Sequence, residues 1–215
     1  MYRYPAAKIH VIGDAPADEP DDATLFAAWA DGDRDAGTRL VRRYFAGVYG
    51  FFRTRLPEQA EDLAQRTFLA CVENREAYRG DGSFRASVYG IARRQMLRTL
   101  EKKEIVERRS AHHGEPLRPT TPSGVVARHE EQVLVMRALR TLGTDDQMLV
   151  QLYYWERLST EEIATVMDLG RSAVKVRLHR ARGKLKDAIS TDAAPAPLRT
   201  RTLNELERWA ERDAD

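Results

Sequence analysis

The segment from Gly143 to Asp187 constrains this chain more than any other, because it writes two helix starts and a tight turn in close succession. Thr144-Asp-Asp-Gln147 and Ser159-Thr-Glu-Glu162 each place Glu or Gln three residues after a hydroxyl residue, the spacing of a capping box. In the second, Leu158 and Ile163 also occupy the positions of a hydrophobic staple. The first predicted helix carries Leu149, Leu152, Tyr153 and Trp155. The second, Thr160 to Met167, is short, with Ile163, Ala164 and Val166 apolar. Asp168-Leu169-Gly170 reads as a turn, and a third helix follows from Arg171. A short helix, a three-residue turn and a basic helix make a helix-turn-helix.

The third helix separates its faces. At the angular step of a helix, Val174, Leu178, Ala181 and Leu185 fall on one stripe, which should pack inward. Ser172, Lys175, Val176, His179 and Arg180 fall opposite; Arg171 stands at the tip, and Arg177 and Arg182 flank the stripe. From Arg171 to Lys186 there are seven Lys or Arg residues and no acid. A helix in the major groove reads base edges with its outer face while flanking cations hold phosphates. Duplex DNA is the expected ligand, with Lys175, Val176, His179 and Arg180 at base edges. Arg171, Arg177, Arg182 and Lys184 are expected on the backbone, and Ser172 lies beside them.

The rest of the chain predicts an all-α fold of two small helical domains joined by a flexible linker. Residues 1–21 read as a flexible acidic arm, around Asp14, Asp18, Glu19 and Asp21. Residues 22–109 form the first domain, with apolar faces through Leu25, Phe26, Trp29, Tyr44, Phe51, Leu63, Phe68 and Ile91. Residues 110–128 contain Pro116, Pro119 and Pro122 and favour an extended linker. Residues 129–189 hold the helix-turn-helix. Residues 190–215 form a tail with a short amphipathic stretch at Leu203, Leu206 and Trp209.

Composition removes several classes of function. The net charge of +2 hides the segregation of an acidic start from a basic third helix. One cysteine, Cys71, excludes an intrachain disulfide and a cysteine-cluster zinc site, and it reads as a core residue. The adjacent His112 and His113 lack metal-ligand spacing and companions, so no metal is expected. No cofactor is expected either, since no Gly-rich phosphate loop is present, and no nucleophile stands with a base: the chain does not read as an enzyme. No apolar run reaches the ~20 residues of a membrane span, and Met1 to Gly13 lacks a signal-peptide pattern. A cytoplasmic location is expected.

Leu158-Ser-Thr-Glu-Glu-Ile-Ala164 followed by Val174-Lys-Val-Arg-Leu-His-Arg-Ala-Arg182 resembles the −35-reading domain of RNA polymerase sigma factors. Ala60-Glu-Asp-Leu-Ala-Gln-Arg-Thr-Phe-Leu69, Tyr78-Arg-Gly-Asp-Gly-Ser-Phe84 and Tyr89-Gly-Ile-Ala-Arg-Arg94 resemble, in order and spacing, the other domain of the extracytoplasmic-function (ECF) group. The resemblance covers about residues 22–109 and 129–188. It implies core RNA polymerase as a partner, through its β′ clamp helices and β flap, with Glu61, Asp62, Gln65, Arg66 and Phe68 at the clamp contact. It also implies promoter DNA, the −35 element as duplex and the −10 element as single strand, and an anti-sigma factor or other regulator as a candidate partner. Single-strand binding needs rings and a basic track: Tyr78, Phe84 and Tyr89 supply the rings, and Arg79, Arg85, Arg93, Arg94 and Arg98 the charge. The chain departs from the group at Arg66, which replaces an acid, at Ser87, which replaces a tryptophan, and at Asp168 and Gly170 of the turn. The competing reading is a stand-alone helix-turn-helix regulator whose first half senses a signal or dimerises.

Overall fold

Helix α1 (Asp22–Ala30) starts where the Asp21 carboxylate accepts the Thr24 N–H at 2.8 Å. Helix α2 (Arg34–Arg53) starts where Asp33 accepts those of Asp35 and Ala36 at 2.8 and 3.2 Å. Each carboxylate satisfies N–H groups that have no partner within the helix. A 3-10 turn at Pro57–Gln59 leads into α3 (Ala60–Glu73), and α4 (Phe84–Arg109) closes the first group. The computed structural model describes residues 20–73, 83–109 and 126–211, with side chains for 20–73, 83–105 and 130–208. The acidic arm up to residue 19, the linker residues 110–125 with His112 and His113, and Tyr78 and Arg79 all lie outside the described residues.

Leu40, Val48, Phe51, Phe52, Tyr89 and Met96 are buried where α2 meets α3 and α4. The Trp29 ring lies directly over Gly37, where an added Cβ would come within 2.5 Å of the indole nitrogen. The missing side chain lets α1 settle on α2.

The second group is α5 (Val126–Arg140), α6 (Thr144–Tyr154), α7 (Thr160–Met167), α8 (Arg171–Ser190) and α9 (Ala196–Glu211). Every element among the described residues is helical, as the sequence pattern predicts.

Three features differ from the sequence expectations. Thr144 does not cap α6: Gly143 is the N-cap residue and makes no side-chain cap bond. The oxygens of Thr144 and Gln147 instead each accept a hydrogen bond from Arg55 at 2.7 Å.

The tail is not a separate appendage. Its helix α9 packs on α5 and α8, burying Leu198, Thr202 and Leu206 in a core with Leu134, Leu139, Leu185 and Ile189. Lys186 pairs with Glu207 at 3.0 Å, and Arg137 with Asp192 at 2.7 Å.

The two groups do not stand apart either. Met148, Leu149, Leu152, Ile163 and Val174 belong to the same contiguous core as Phe51, Tyr89 and Met96, with α4 against α7. Periodicity marks an apolar face but does not say which element covers it.

Leu206→Ala should lower unfolding stability by about 2–4 kcal/mol. In a urea titration the midpoint should fall, and α9 amides should lose hydrogen-exchange protection first. A midpoint equal to wild type would mean that α9 contributes nothing to the second core.

Candidate nucleic-acid interface

The local chain sets the geometry of the helix-turn-helix. Ser159 Oγ accepts the Glu162 N–H at 3.2 Å, and Glu162 Oε2 accepts the Ser159 N–H at 2.7 Å, so this capping box is complete. Asp168 takes the left-handed conformation (φ 57°, ψ 51°) and its N–H returns to the Ala164 carbonyl, ending α7. Arg157 has a second positive φ, 51°, just before the box; nothing in its type announces it. Gly170 then caps α8 without a side-chain bond.

Val174, Leu178, Ala181 and Leu185 are buried along α8, and Ile189 continues the stripe. Arg171, Ser172, Lys175, Val176, His179 and Arg180 are exposed, Val176 at 52%. The four cations assigned to the DNA backbone all have partners within the chain. Arg171 pairs with Glu161 at 2.7 Å. Arg177 reaches Asp146 at 3.1 Å and Asp145 at 3.2 Å, and Lys184 reaches Asp146 at 2.8 Å. Arg182 lies over the Tyr154 ring, 5.7 Å from its centre. Burial works to raise the Asp146 carboxyl, but hydrogen bonds from Lys184 and Arg177 outweigh it and hold the group below its ordinary value.

On α4 the structure corrects the ring assignments. Phe84 is buried among Phe26, Trp29 and Tyr44, with ring centres 5.7 to 6.4 Å apart. Tyr89 is 0% exposed, meets Phe51 edge-on, and donates its hydroxyl to the Glu156 carboxylate. Neither ring is presented for a base to stack on: both follow an apolar helix repeat, and that repeat prevailed.

Arg85 donates to Glu162 at 3.1 and 3.3 Å and to the Glu156 carbonyl at 3.4 Å. Arg93 lies 3.8 Å from Asp145. Arg94 and Arg98 are exposed.

Helix α3 needs one correction too. Glu61, Asp62, Gln65 and Arg66 are exposed as expected, but Phe68 is only 5% exposed and stacks on Phe45. The apolar side chains on the outer face are Leu69 (56% exposed) and Val72 (43%), both off the stripe set by Leu63, Thr67, Phe68 and Cys71. That offset was the signal for them in the sequence. Arg66 folds back on Asp62 at 3.0 Å, so the charge reversal is partly neutralised within the helix. Cys71 is a core residue, its thiol pushed up to about 12 by burial.

Comparison with known proteins bears on both halves. Residues 39–104 match the family model for sigma-70 region 2, and residues 132–185 match that for sigma-70 region 4. RNA polymerase sigma factor YlaC of Bacillus subtilis is 31% identical over 158 residues, covering 71% of this chain and 91% of that protein. The ECF RNA polymerase sigma-E factor of Escherichia coli K12 is 26% identical over 179 residues, covering 78% and 94%. The chain is an ECF sigma factor.

The sigma factor also shares its fold with solved structures. CnrH in complex with the cytosolic domain of CnrY superposes with a TM-score of 0.62 at 26% identity, covering 80% of this chain and 99% of that one. RpoE of Bartonella quintana, in complex with the anti-sigma factor NepR, gives 0.59 at 19% identity, covering 74% and 98%. As a sigma factor the chain is a transcription initiation factor that binds RNA polymerase and directs it to promoter DNA. The stand-alone regulator reading falls, because the first half is sigma region 2 and not a sensing or dimerisation domain.

Burial pushes the Glu156 carboxyl up to about 7, although the Tyr89 hydrogen bond and Arg85 pull it down. The folded chain therefore keeps a proton that the unfolded chain loses near the ordinary value of 4.5. This group's contribution is fully present below 4.5, is lost as pH rises to about 7, and is constant above. Asp146 and Glu162, both lowered, act oppositely and only at more acidic pH. Thermal unfolding followed across that window should show the decline in wild type. In Glu156→Gln it should be flattened; an unaltered slope would assign the decline to other groups.

Proposed function

We propose that the outer face of α8 reads the −35 duplex in the major groove. Lys175, Val176, His179 and Arg180 would meet base edges, with Ser172, Arg171, Arg177, Arg182 and Lys184 holding the backbone. One observation carries this reading: Arg171, Ser172, Lys175, Val176, His179 and Arg180 are exposed over a fully buried stripe, in a run from Arg171 to Lys186 that contains no acid. Val176 adds an exposed apolar surface of the kind that contacts a thymine methyl. Arg85, Arg93, Arg94 and Arg98, with Tyr78 and Arg79, form the basic track for the −10 single strand; Phe84 and Tyr89 build the core beneath it.

The β′ clamp helices of core polymerase would dock on Glu61, Asp62, Gln65 and Arg66 of α3, with Leu69 and Val72 supplying the apolar contact. The β flap would take the second helical group. In this reading residues 22–109 and 129–189 are the working units, catalysis stays with the polymerase, and the factor acts in the cytoplasm beside its DNA. Among the described residues no helix is long and apolar enough to cross a membrane. An anti-sigma factor or other regulator remains part of the reading.

Two units that bind weakly become selective when polymerase fixes their separation, because the second contact is then intramolecular. A gel shift on promoter fragments should therefore show weak, unselective binding by the factor alone and selective binding by the holoenzyme. Tight sequence-specific binding without polymerase would contradict this.

Lys175→Ala or Arg180→Ala should cost about 1–3 kcal/mol on the preferred −35 sequence and relax the choice of base there. Run-off transcription over a library of −35 variants reads the effect. A uniform loss on every sequence would move these residues to the phosphate group.

A further inference from the structure

Helix α2 shares a charge pattern with the two helices that carry the proposed DNA surfaces. The three longest stretches of the chain without an acid lie between Asp35 and Glu58, between Asp81 and Glu101, and between Asp168 and Asp187. The second holds the α4 arginines proposed for the −10 strand, and the third holds the reading face of α8. The first falls almost wholly on α2, which takes no part in either surface.

Five arginines lie in that first stretch: Arg39, Arg42, Arg43, Arg53 and Arg55. Two of them serve the fold. Arg43 pairs with Asp22 at 2.6 Å, and Arg55 donates to Gln147 and Thr144. The other three are exposed. Helical spacing sets Arg39, Arg42, Ala46, Tyr49 and Arg53 on one line along α2. That line is turned away from α4, which meets α2 through Tyr44 and Phe51 on the buried side. It rises about 21 Å from end to end. Arg53 lies over the half-buried Tyr49 ring, 5.9 Å from its centre, a contact that steadies the guanidinium.

Like charges on neighbouring turns of one helix repel, and a surface that serves solubility alone mixes its signs. Beyond Asp35, α2 instead gathers one sign, in a chain with nearly as many acids as bases. Its cations are all arginine, whose planar fork fits phosphate and which is less strongly hydrated than lysine.

We propose that the outer face of α2 is a third nucleic-acid contact, in which Arg39, Arg42 and Arg53 hold the sugar–phosphate backbone of promoter DNA outside the −35 and −10 elements. Ala46 keeps the middle of the line low, so that the backbone lies close against the helix. Tyr49 positions Arg53. The line offers no amide or carboxylate to read a base edge, so the contact adds affinity to every promoter alike. It therefore stands apart from the question of which bases α4 and α8 meet.

The test uses holoenzyme carrying the full chain, on promoter fragments over a range of salt concentrations. Each phosphate contact contributes about 0.9 to the slope of log affinity against log salt on a duplex, and about 0.7 on a single strand. The triple variant Arg39→Ala, Arg42→Ala, Arg53→Ala should lower that slope by about 2–3. Its loss of affinity should be the same fold-change on promoters that differ only in −35 or −10 sequence. Replacing the same three residues with Lys keeps the charges and should keep most of the slope. Circular dichroism, and binding of core polymerase without DNA, should match the unsubstituted chain. Fragments that are duplex throughout and fragments with a single-stranded non-template segment separate the two forms of DNA. A loss on either supports the contact and says which form it holds.

A photo-crosslinker on Ala46→Cys, in a Cys71→Ala background, identifies the neighbour directly and should label DNA in the holoenzyme–promoter complex. This readout is independent of the alanine variant and decides the matter should that variant fold poorly. An unchanged salt slope, or label confined to a polymerase subunit, would overturn the proposal. Weakened binding to core polymerase alone would overturn it too, by making the line a protein contact.

Discussion

Glu156 stands where both halves of the chain meet, and much of the structure is arranged around its carboxylate. It lies at the end of the α6 segment, against the Tyr89 hydroxyl of α4 and in the hollow that Gly47 leaves on α2. A carboxylate taken out of water needs hydrogen bonds or a proton to remain there. The Tyr89 hydroxyl is itself fixed by the edge-on contact with Phe51, deep in the first core. The position of the helix-turn-helix relative to α4 thus depends on a polar contact anchored in an apolar one. Arg55, Arg85 and Arg93 add further contacts across the same boundary.

That arrangement also sets how the arginines of α4 sit against the second helical group. On α8, Lys175, Val176, His179 and Arg180 are all exposed to solvent on the outer face. The arginines of α4 are divided: Arg94 and Arg98 are exposed, while Arg85 and Arg93 meet acids. Helix α9 braces α8 from behind through Leu198 and Leu206 and the Lys186–Glu207 pair, which fixes the far end of the recognition helix against α5.

Much of the fold and the site was legible in the residues, for a common reason. The Ser159–Glu162 box, the left-handed Asp168 and the α8 stripe are all set by partners within a few positions along the chain. The Thr144–Gln147 box misled because both oxygens had a competing donor, Arg55, about 90 residues away, which the local pattern does not contain. Phe84 and Tyr89 misled differently. An aromatic residue on a helix serves equally well as a core residue or a stacking platform, and only the presence of α1, α2 and Glu156 over those positions decided it. Phe68 and Leu69 exchanged roles because a one-residue step turns a side chain by 100° about the helix axis.

The sequence alone determined the all-helical content, the helix-turn-helix with its outward and inward faces, and membership of the ECF sigma group. These rest on short-range hydrogen bonding, helical periodicity and the order of local motifs. Tertiary structure decided that the tail is the docked helix α9, that the two groups share one core, and that Arg85 and Arg93 meet Glu162 and Asp145. Those outcomes depend on which apolar faces and which opposite charges meet across many residues of chain. Periodicity describes each surface separately, and the choice of partner belongs to the packed whole.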